Sequence, residues 1–304
     1  MAGSVLLAGG TGGAKLARGL LEVTPGALTV VVNTGDDLEA YGGHVSPDPD
    51  LVCFWLADRI DARGWGLQGD TFAVMDGLRE VGDDVWFNLG DRDLALCLRR
   101  ARRLAEGATL TEAIGEQARA LGVDRARVLP MSDDPVRTQI MAGGEWWPLQ
   151  DFLIRRGGEG PVDGVGFTGV EAAAPSAEVL AAIAEAEAIV VGPSNPIISI
   201  GPILALAGLR EALVAANAPV IAVSPIVGGA VVKGPTAAFL AWAGQPATDA
   251  GVLAHYGELL DGFVGEQRVP DAPIPQLVTD VDLSDPARRA RVAGEVLDFA
   301  RSLA

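Results

Sequence analysis

Apolar residues recur along this chain in short blocks separated by turns rich in glycine, proline and aspartate, and the blocks are of two kinds. Continuous runs at 4–8 (SVLLA), Leu28–Val32 (LTVVV), 188–191 and Val220–Val223 have the length and branched side chains of strands buried on both faces. Other blocks repeat at helical spacing. Leu16, Leu20, Leu21 and Val23 give the segment after the first strand an apolar side, and a helix beginning at Asp91 is expected to turn Leu94, Leu98 and Leu104 inward. Further helices are predicted over 50–58, from Thr111 to near Gly122, over 176–187 with Ser176 as its cap, over 208–216, and from Pro286 to the end. Residues 277–281 read as another strand.

Strand, glycine loop, helix, strand is the opening of a βαβ unit, whose crossover is right-handed. The alternation predicts an α/β, Rossmann-like fold: an open, mostly parallel sheet flanked by helices. Between 127 and 169 the pattern changes to short alternating segments with a hairpin-like Gly143-Gly144. The expected organisation is therefore residues 1–126 as the first part of a nucleotide-binding core, 127–175 as an inserted or flanking subdomain, and 176–304 as the rest of the core with C-terminal helices. No internal repeat or low-complexity tract interrupts it.

Composition narrows the setting. A 304-residue chain can bury roughly 75 % of its unfolded surface, enough for a large core without disulfides. Cys53 and Cys97 both fall in apolar helical runs and read as buried thiols in a reducing, cytoplasmic compartment. The opening MAGSVLLAGG has no basic stretch before its short apolar run, so no signal peptide is expected. Apolar content is 49 %. The best membrane candidate, AIVVGPSNPIISIGPILALAG, is broken by prolines, an asparagine and glycines, so no membrane span is expected. Forty acidic residues against 23 basic ones give a charge of −17, which disfavours nucleic acid and anionic membranes as partners. A bound phosphate would need backbone N–H groups, a local cation or a metal. Lysine is scarce, Lys15 and Lys233 being the two.

The candidate chemistry sits in the turns. Gly9-Gly10-Thr11-Gly12-Gly13, followed by Ala14-Lys15, lets the backbone approach a phosphate at a helix N-terminus. It is neither a Walker A loop nor a dinucleotide fingerprint, since the required glycine, hydroxyl and spacing are missing. Lys15 reads equally as a phosphate contact or as a solvated residue of the first helical turn. Asn33, Asp36 and Asp37 end the second strand, and Asp48 and Asp50 lie in a proline-rich segment, SPDPD, read as a loop able to offer two carboxylates to one Mg²⁺. Asp91 can cap its helix, and Arg92 can hold a phosphoryl oxygen or a planar heterocycle. Ser132, Asp133 and Asp134 form a polar loop that is either a recognition element or a turn. Gly192, Ser194 and Asn195 follow a strand where a base or phosphate pocket would form. The two histidines, His44 and His255, make no zinc cluster, and His44 reads first as an ordinary polar loop residue.

In order, GGTGGAKLARGL, VVNTGDD, SPDPD, FNLGDRD, MSDDPVRT and VGPSNPIISIGPIL resemble the 2-phospho-L-lactate transferases of coenzyme F420 biosynthesis. The resemblance implies a Mg²⁺-dependent transferase that joins the deazaflavin FO to a phosphorylated three-carbon acid delivered as its guanosine diphosphate conjugate. The enolpyruvyl donor, which yields dehydro-F420-0 and GMP, is favoured over lactyl and phosphoglycerate versions. It further implies Mg²⁺ on Asp48 or Asp50, FO against Asp48 and Arg92, the glycine loop and 192–195 around guanosine and diphosphate, and a homodimer. A related family of nucleotide-sugar-binding regulatory proteins shares the glycine-rich start and supplies the non-catalytic alternative. SPDPD and NLGDRD favour the transferase. A dehydrogenase fits poorly.

Overall fold

In the computed structural model, which describes residues 3–24, 26–231 and 234–304, the chain opens as its pattern predicts. Strand β1 (Gly3–Ala8), helix α1 (Gly10–Val23) and strand β2 (Leu28–Val32) make the βαβ unit. A hairpin, β3 (Leu38–Ala40) with β4 (Gly43–Val45), leads into helices α2 (Pro47–Leu56), α3 (Ala73–Glu80), α4 (Asp91–Ala105) and α5 (Leu110–Leu121). Strand β5 (Ala126–Pro130) returns to the sheet. Strands β6 (Arg137–Ala142), β7 (Glu145–Pro148) and β8 (Gly164–Thr168) build a separate antiparallel sheet, with a π-helical turn at Asp151–Arg155. The second half alternates through α6 (Ala177–Ala184), β9 (Ala186–Val191), α7 (Gly201–Ala205), α8 (Leu209–Val214) and β10 (Val220–Val223). A small hairpin, β11 (Ile226–Val227) with β12 (Ala230–Val231), precedes α9 (Thr236–Trp242) and α10 (Asp249–Tyr256). Strands β13 (Gly262–Gly265) and β14 (Gln276–Val278) and helix α11 (Pro286–Leu303) end the chain. Lys233 lies outside the described residues.

The main sheet has seven strands in the order β14-β13-β10-β9-β1-β2-β5, every neighbouring pair parallel. The fold is thus α/β and Rossmann-like, with a smaller inserted sheet. Alternate residues of the central strands feed two cores. Leu6, Ala8, Val30 and Val32 pack with α1, α2, α5 and α11, while Val5, Leu7, Val31 and Val191 pack with α6, α7, α8 and α10. Burial of both faces is why these strands are continuously apolar. From β1 the chain moves outward to β5, then returns to β9 on the other side of β1 and moves outward to β14. The chain therefore leaves β1 and β9 toward helices on opposite faces of the sheet, which makes a switch point at their C-terminal ends. Among the described residues, no helix is long and apolar enough to cross a membrane.

Some elements depart from expectation. SPDPD is not a loop: Pro47 occupies the first helical position, where its missing N–H costs nothing, so α2 begins three residues earlier than its apolar run suggests. In α4 the inward residues are Leu94, Cys97 and Arg100, whereas Leu98 is exposed, because the face packed on β4 and Val45 selects the stripe. Helix α6 stops at Ala184, and β9 takes over from Ala186. Cys53 and Cys97 are buried free thiols, as expected.

Candidate active site

The loops after β1 and β9 meet at the switch point with almost no space between them. A Cβ on Gly12 would lie 2.0 Å from the Pro193 carbonyl oxygen, and Gly10 has φ of 60°, so glycine is required at both for different reasons. Ser194 locks the contact: its hydroxyl donates to the Gly9 carbonyl at 2.6 Å and accepts from the Gly9 N–H at 3.3 Å. The Gly10 N–H donates to Asp48 Oδ1 at 2.7 Å. Helix α1 has no side-chain cap and no acid in its first turn. Helical geometry leaves its next N–H groups without an intrahelical acceptor, and Thr11 and Gly12 border a cavity of about 370 Å³. Gly9, Gly10, Lys15, Asp36, Asp48, Ser194, Asn195 and Thr236 also line it.

A second cavity, about 450 Å³, lies on the other side of Asp48 and has a different chemistry. Phe54, Trp65, Phe72, Trp86 and Phe87 contribute to its walls, Asp48, Asp50, Asp70, Asp93, Asn88 and Arg63 are among its polar groups, and Gln150 and Ile154 reach it from the inserted region. Arg63 stacks on Trp65 at 4.3 Å, and Arg155 on Trp86 at 4.8 Å while its Nη2 donates to Asp84 at 2.7 Å. Such a slot suits a flat aromatic ring system. Asp48 borders both cavities. It therefore marks the place where two ligands would meet.

Asp48 is paired there with Asp36. The Asn33 side-chain N–H₂ donates to Asp36 Oδ1 at 2.8 Å and to Asp48 Oδ2 at 2.9 Å, drawing both carboxylates onto one amide. Burial, then the neighbouring Asp48 charge, holds Asp36 well above the usual carboxylate range. Burial pushes Asp48 up to about 6 against the pull of its bonds from Asn33 and Gly10, and the charge of Asp37 pushes the same way. Two hard oxygen donors that repel each other in a polar crevice have the chemistry of a Mg²⁺ position.

Asp50 does not share that position. Two residues further on one helix, it points about 200° around the axis from Asp48. Its Oδ1 accepts from Gln117 Nε2 at 2.5 Å and from the buried Arg100 guanidinium, which also donates to the His44 carbonyl at 2.8 Å. SPDPD is thus the first turn of a helix and not the expected loop, and Asp50 Oδ1 is committed to Arg100 and Gln117 while Asp48 faces Asn33 and Gly10. Asp50 Oδ2 is buried without a partner. Asp50, Asp93 and Cys97 offer ligand atoms within 4.8 Å of one another. Burial, then the charge of Asp50, raises Asp93 to about 8, and burial leads in raising the Cys97 thiol too. With Arg100 already neutralising Asp50, this group is a less favourable cation site than Asp36 with Asp48.

Several sequence candidates have other roles. Asp91 is not the cap of its own helix: it accepts from Ala73 N–H at 3.1 Å and Val74 N–H at 2.9 Å, capping α3, while Asp70 returns the favour to Arg92 and Asp93 N–H at the start of α4. Arg92 is exposed, its Nη1 3.4 Å from the Gln68 carbonyl, and borders neither cavity. Ser132 donates to the Ala174 carbonyl, Asp133 accepts from Thr111 N–H and Asp134 from Ala174 N–H, all turn and cap bonds away from both cavities. Asp37 is buried against His44 and Ser46. Gly13 and Gly192 form the close β1–β9 contact without bordering a cavity. Asp93 lies inside the NLGDRD motif without standing out there as a site residue, and most of the aromatic slot falls outside any motif. The unusual concentration of Trp65, Phe72, Trp86 and Phe87 between α2 and α4, in a chain with 5 % aromatics, was the available signal.

The fold is α/β with two cavities that share one acidic wall residue, Asp48. Residues 5–276 match the family described as 2-phospho-L-lactate transferase CofD. The chain is 42 % identical to the 2-phospho-L-lactate transferase of Methanosarcina mazei over 87 % of each chain. It is 40 % identical to the phosphoenolpyruvate transferase of Streptomyces griseus, covering 98 % of this chain and 99 % of that one, and 37 % identical to that of Thermobifida fusca over 98 % of both. A crystal structure of a UPF0052 family member from Bacillus halodurans superposes with a TM-score of 0.62 over 97 % of this chain and 99 % of that one, at 18 % identity, a likeness of fold alone. The chain belongs to the CofD family of transferases.

Proposed function

We propose that this protein transfers a phosphorylated three-carbon acid from its guanosine diphosphate conjugate to the deazaflavin FO, forming dehydro-F420-0 and GMP when the acid is enolpyruvate. The observation that carries the reading is the double placement of Asp48, on the wall of an aromatic slot and on the wall of a glycine-loop cavity. The slot suits the three-ring acceptor, and the glycine-loop cavity suits the guanosine diphosphate portion of the donor, its diphosphate at the N-terminus of α1. A terminal hydroxyl of the acceptor side chain attacks the phosphorus bearing the three-carbon acid, the bond to the GMP oxygen breaks, and the hydroxyl proton is released.

Such transfers depend on alignment and charge neutralisation more than on covalent help. Asp36 and Asp48 would hold a Mg²⁺, for which their all-oxygen donor set fits, and the ion would supply neutralisation of phosphoryl oxygens. The chain supplies the rest. The α1 N-terminus binds negative oxygens, the aromatic slot orients the acceptor and excludes water, and Asn33 fixes the carboxylate pair. Relatives named phosphoenolpyruvate transferases align along 95–98 % of this chain at 37–40 % identity, and those named 2-phospho-L-lactate transferases along 87–96 % at 36–42 %, so the choice of the enolpyruvyl donor rests on the assay below. A homodimer in the cytoplasm completes the proposal.

Purified enzyme given FO, Mg²⁺ and each of the enolpyruvyl, lactyl and phosphoglycerate donors tests it. The enolpyruvyl donor should give the highest kcat/KM, with one GMP per dehydro-F420-0. Preference for another donor would overturn the donor choice alone. A tightly retained nucleotide without turnover on any donor would favour the non-catalytic alternative.

A further inference from the structure

His44 sits on β4 behind the carboxylate pair, and both of its ring nitrogens face carboxylates. Nδ1 lies 2.6 Å from Glu39 Oε1 and Nε2 3.1 Å from Asp37 Oδ2. An ionised carboxylate only accepts, so both contacts are hydrogen bonds only when the ring carries two protons. Asp37 spends its second oxygen on the Ser46 hydroxyl, which donates at 2.7 Å. Ser46 is the N-cap residue of α2, yet its side chain makes no cap bond. It is tied to Asp37 instead. Glu39, His44, Asp37 and Ser46 therefore form one chain of contacts from a largely exposed carboxylate to the start of the helix that presents Asp48. Asp37 directly follows Asp36. Each end of the paired carboxylate site is thus anchored to the same buried side chain, and no member of the chain borders either cavity.

Asp37 brings a cost with its bonds. Its charge repels both Asp36 and Asp48, and a third uncompensated carboxylate at this depth would oppose the ionised pair. The other charged group packed on the His44 segment is Arg100 of α4, whose Nη1 donates to the His44 carbonyl at 2.8 Å and which is itself committed to Asp50. The imidazolium is the cation hydrogen-bonded to Asp37, and Arg100 adds its charge without a hydrogen bond to that carboxylate. Burial pulls the ring's pKa down, but the hydrogen bonds and charges of Asp37 and Glu39 outweigh it and leave it raised.

We propose that His44 is a positioning residue: a standing cation that keeps Asp37 bonded to Ser46, and so holds Asp36 and Asp48 face to face at the junction of the two cavities. The inference rests on the cation site proposed above, but its first test does not. Ring ¹⁵N chemical shifts, with His255 as the other histidine and H44Q giving the assignment, should show both nitrogens of His44 protonated at pH 7.5 in the resting protein. A ring with one unprotonated nitrogen at that pH overturns the proposal, whatever the protein catalyses. In turnover assays H44Q should melt cooperatively, keep KM for FO near that of the wild type, and lose on the order of 10- to 100-fold in kcat or in apparent Mg²⁺ affinity, the range seen when an outer partner of a metal ligand is removed. H44K, which restores a cation, should recover part of that loss. Wild-type kcat and Mg²⁺ dependence in H44Q would overturn the role. If H44Q does not fold, E39Q substitutes for it: removing the outer negative charge must lower the pKa of the His44 ring, and an unmoved ring refutes the chain. Absence of turnover in the wild type would instead count against the proposed function and leave the ring measurement standing.

Discussion

Replacing Asp48 by asparagine should slow the enzyme and stabilise the protein at once. Raising a carboxylate from 3.8 to about 6 penalises its ionised form by about 3 kcal/mol at neutral pH, at about 1.4 kcal/mol per pH unit. Between those two pH values the folded state binds more protons at Asp48 than the unfolded state does. The stability Asp48 contributes is therefore greatest below pH 3.8 and is lost as the pH rises through about 6. Asparagine removes that penalty. It still accepts the Asn33 bond with its carbonyl oxygen, but its amide cannot also accept from the Gly10 N–H, a loss of about 1 kcal/mol. The net gain is about 1–2 kcal/mol, or roughly 2–8 °C in Tm for a chain of this size. Calorimetry of ligand-free protein in chelator at neutral pH reads it, and the gain should vanish near pH 4. The rate should nevertheless fall about 10²–10³-fold, the order seen when a key electrostatic contact in an active site is lost. Asp83→Asn, at an exposed turn, is the charge-matched control; Asp84 is unsuitable because it holds Arg155. A variant that melts below the wild type at neutral pH, or that keeps the control's rate at saturating Mg²⁺, would refute the reasoning.

Arg100→Met should have the opposite profile, because it strands Asp50 as a buried, unpaired charge: a loss of about 3–5 kcal/mol, or roughly 6–20 °C in Tm. An unchanged melting curve would refute a stabilising role for the buried Arg100–Asp50 pair. The Mg²⁺ concentration needed for half-maximal rate should rise as the pH falls through about 6, since protons and the cation compete for Asp48; titrations on either side of that pH decide it. Gly12→Ala puts a methyl 2.0 Å from the Pro193 carbonyl, forcing the loops apart at about 1–3 kcal/mol. Its kinetic effect should be a raised KM for the donor with KM for FO retained, and equal losses for both substrates would argue against the assignment of the cavities.

What the amino-acid sequence determined here is whatever depends on near neighbours. Runs such as LTVVV declare strands buried on both faces, GGTGG declares a turn that admits close backbone approach, and their alternation declares a Rossmann-like sheet. Six ordered motifs declared the family. Motif membership did not say which side chain faces a ligand. Asp36 and Asp37 are adjacent, yet one joins Asp48 at the crevice and the other is buried on His44. Asp48 and Asp50 were expected to act together, and a rotation of about 200° along α2 gives them different partners. In NLGDRD, Asp91 caps a different helix, Arg92 is exposed and Asp93 enters the aromatic slot. Local sequence sets backbone conformation, because turns and helices are decided over a few residues. Facing is decided by where α2, α4 and the β3–β4 hairpin pack, and those contacts join residues tens of positions apart that carry no shared local signal.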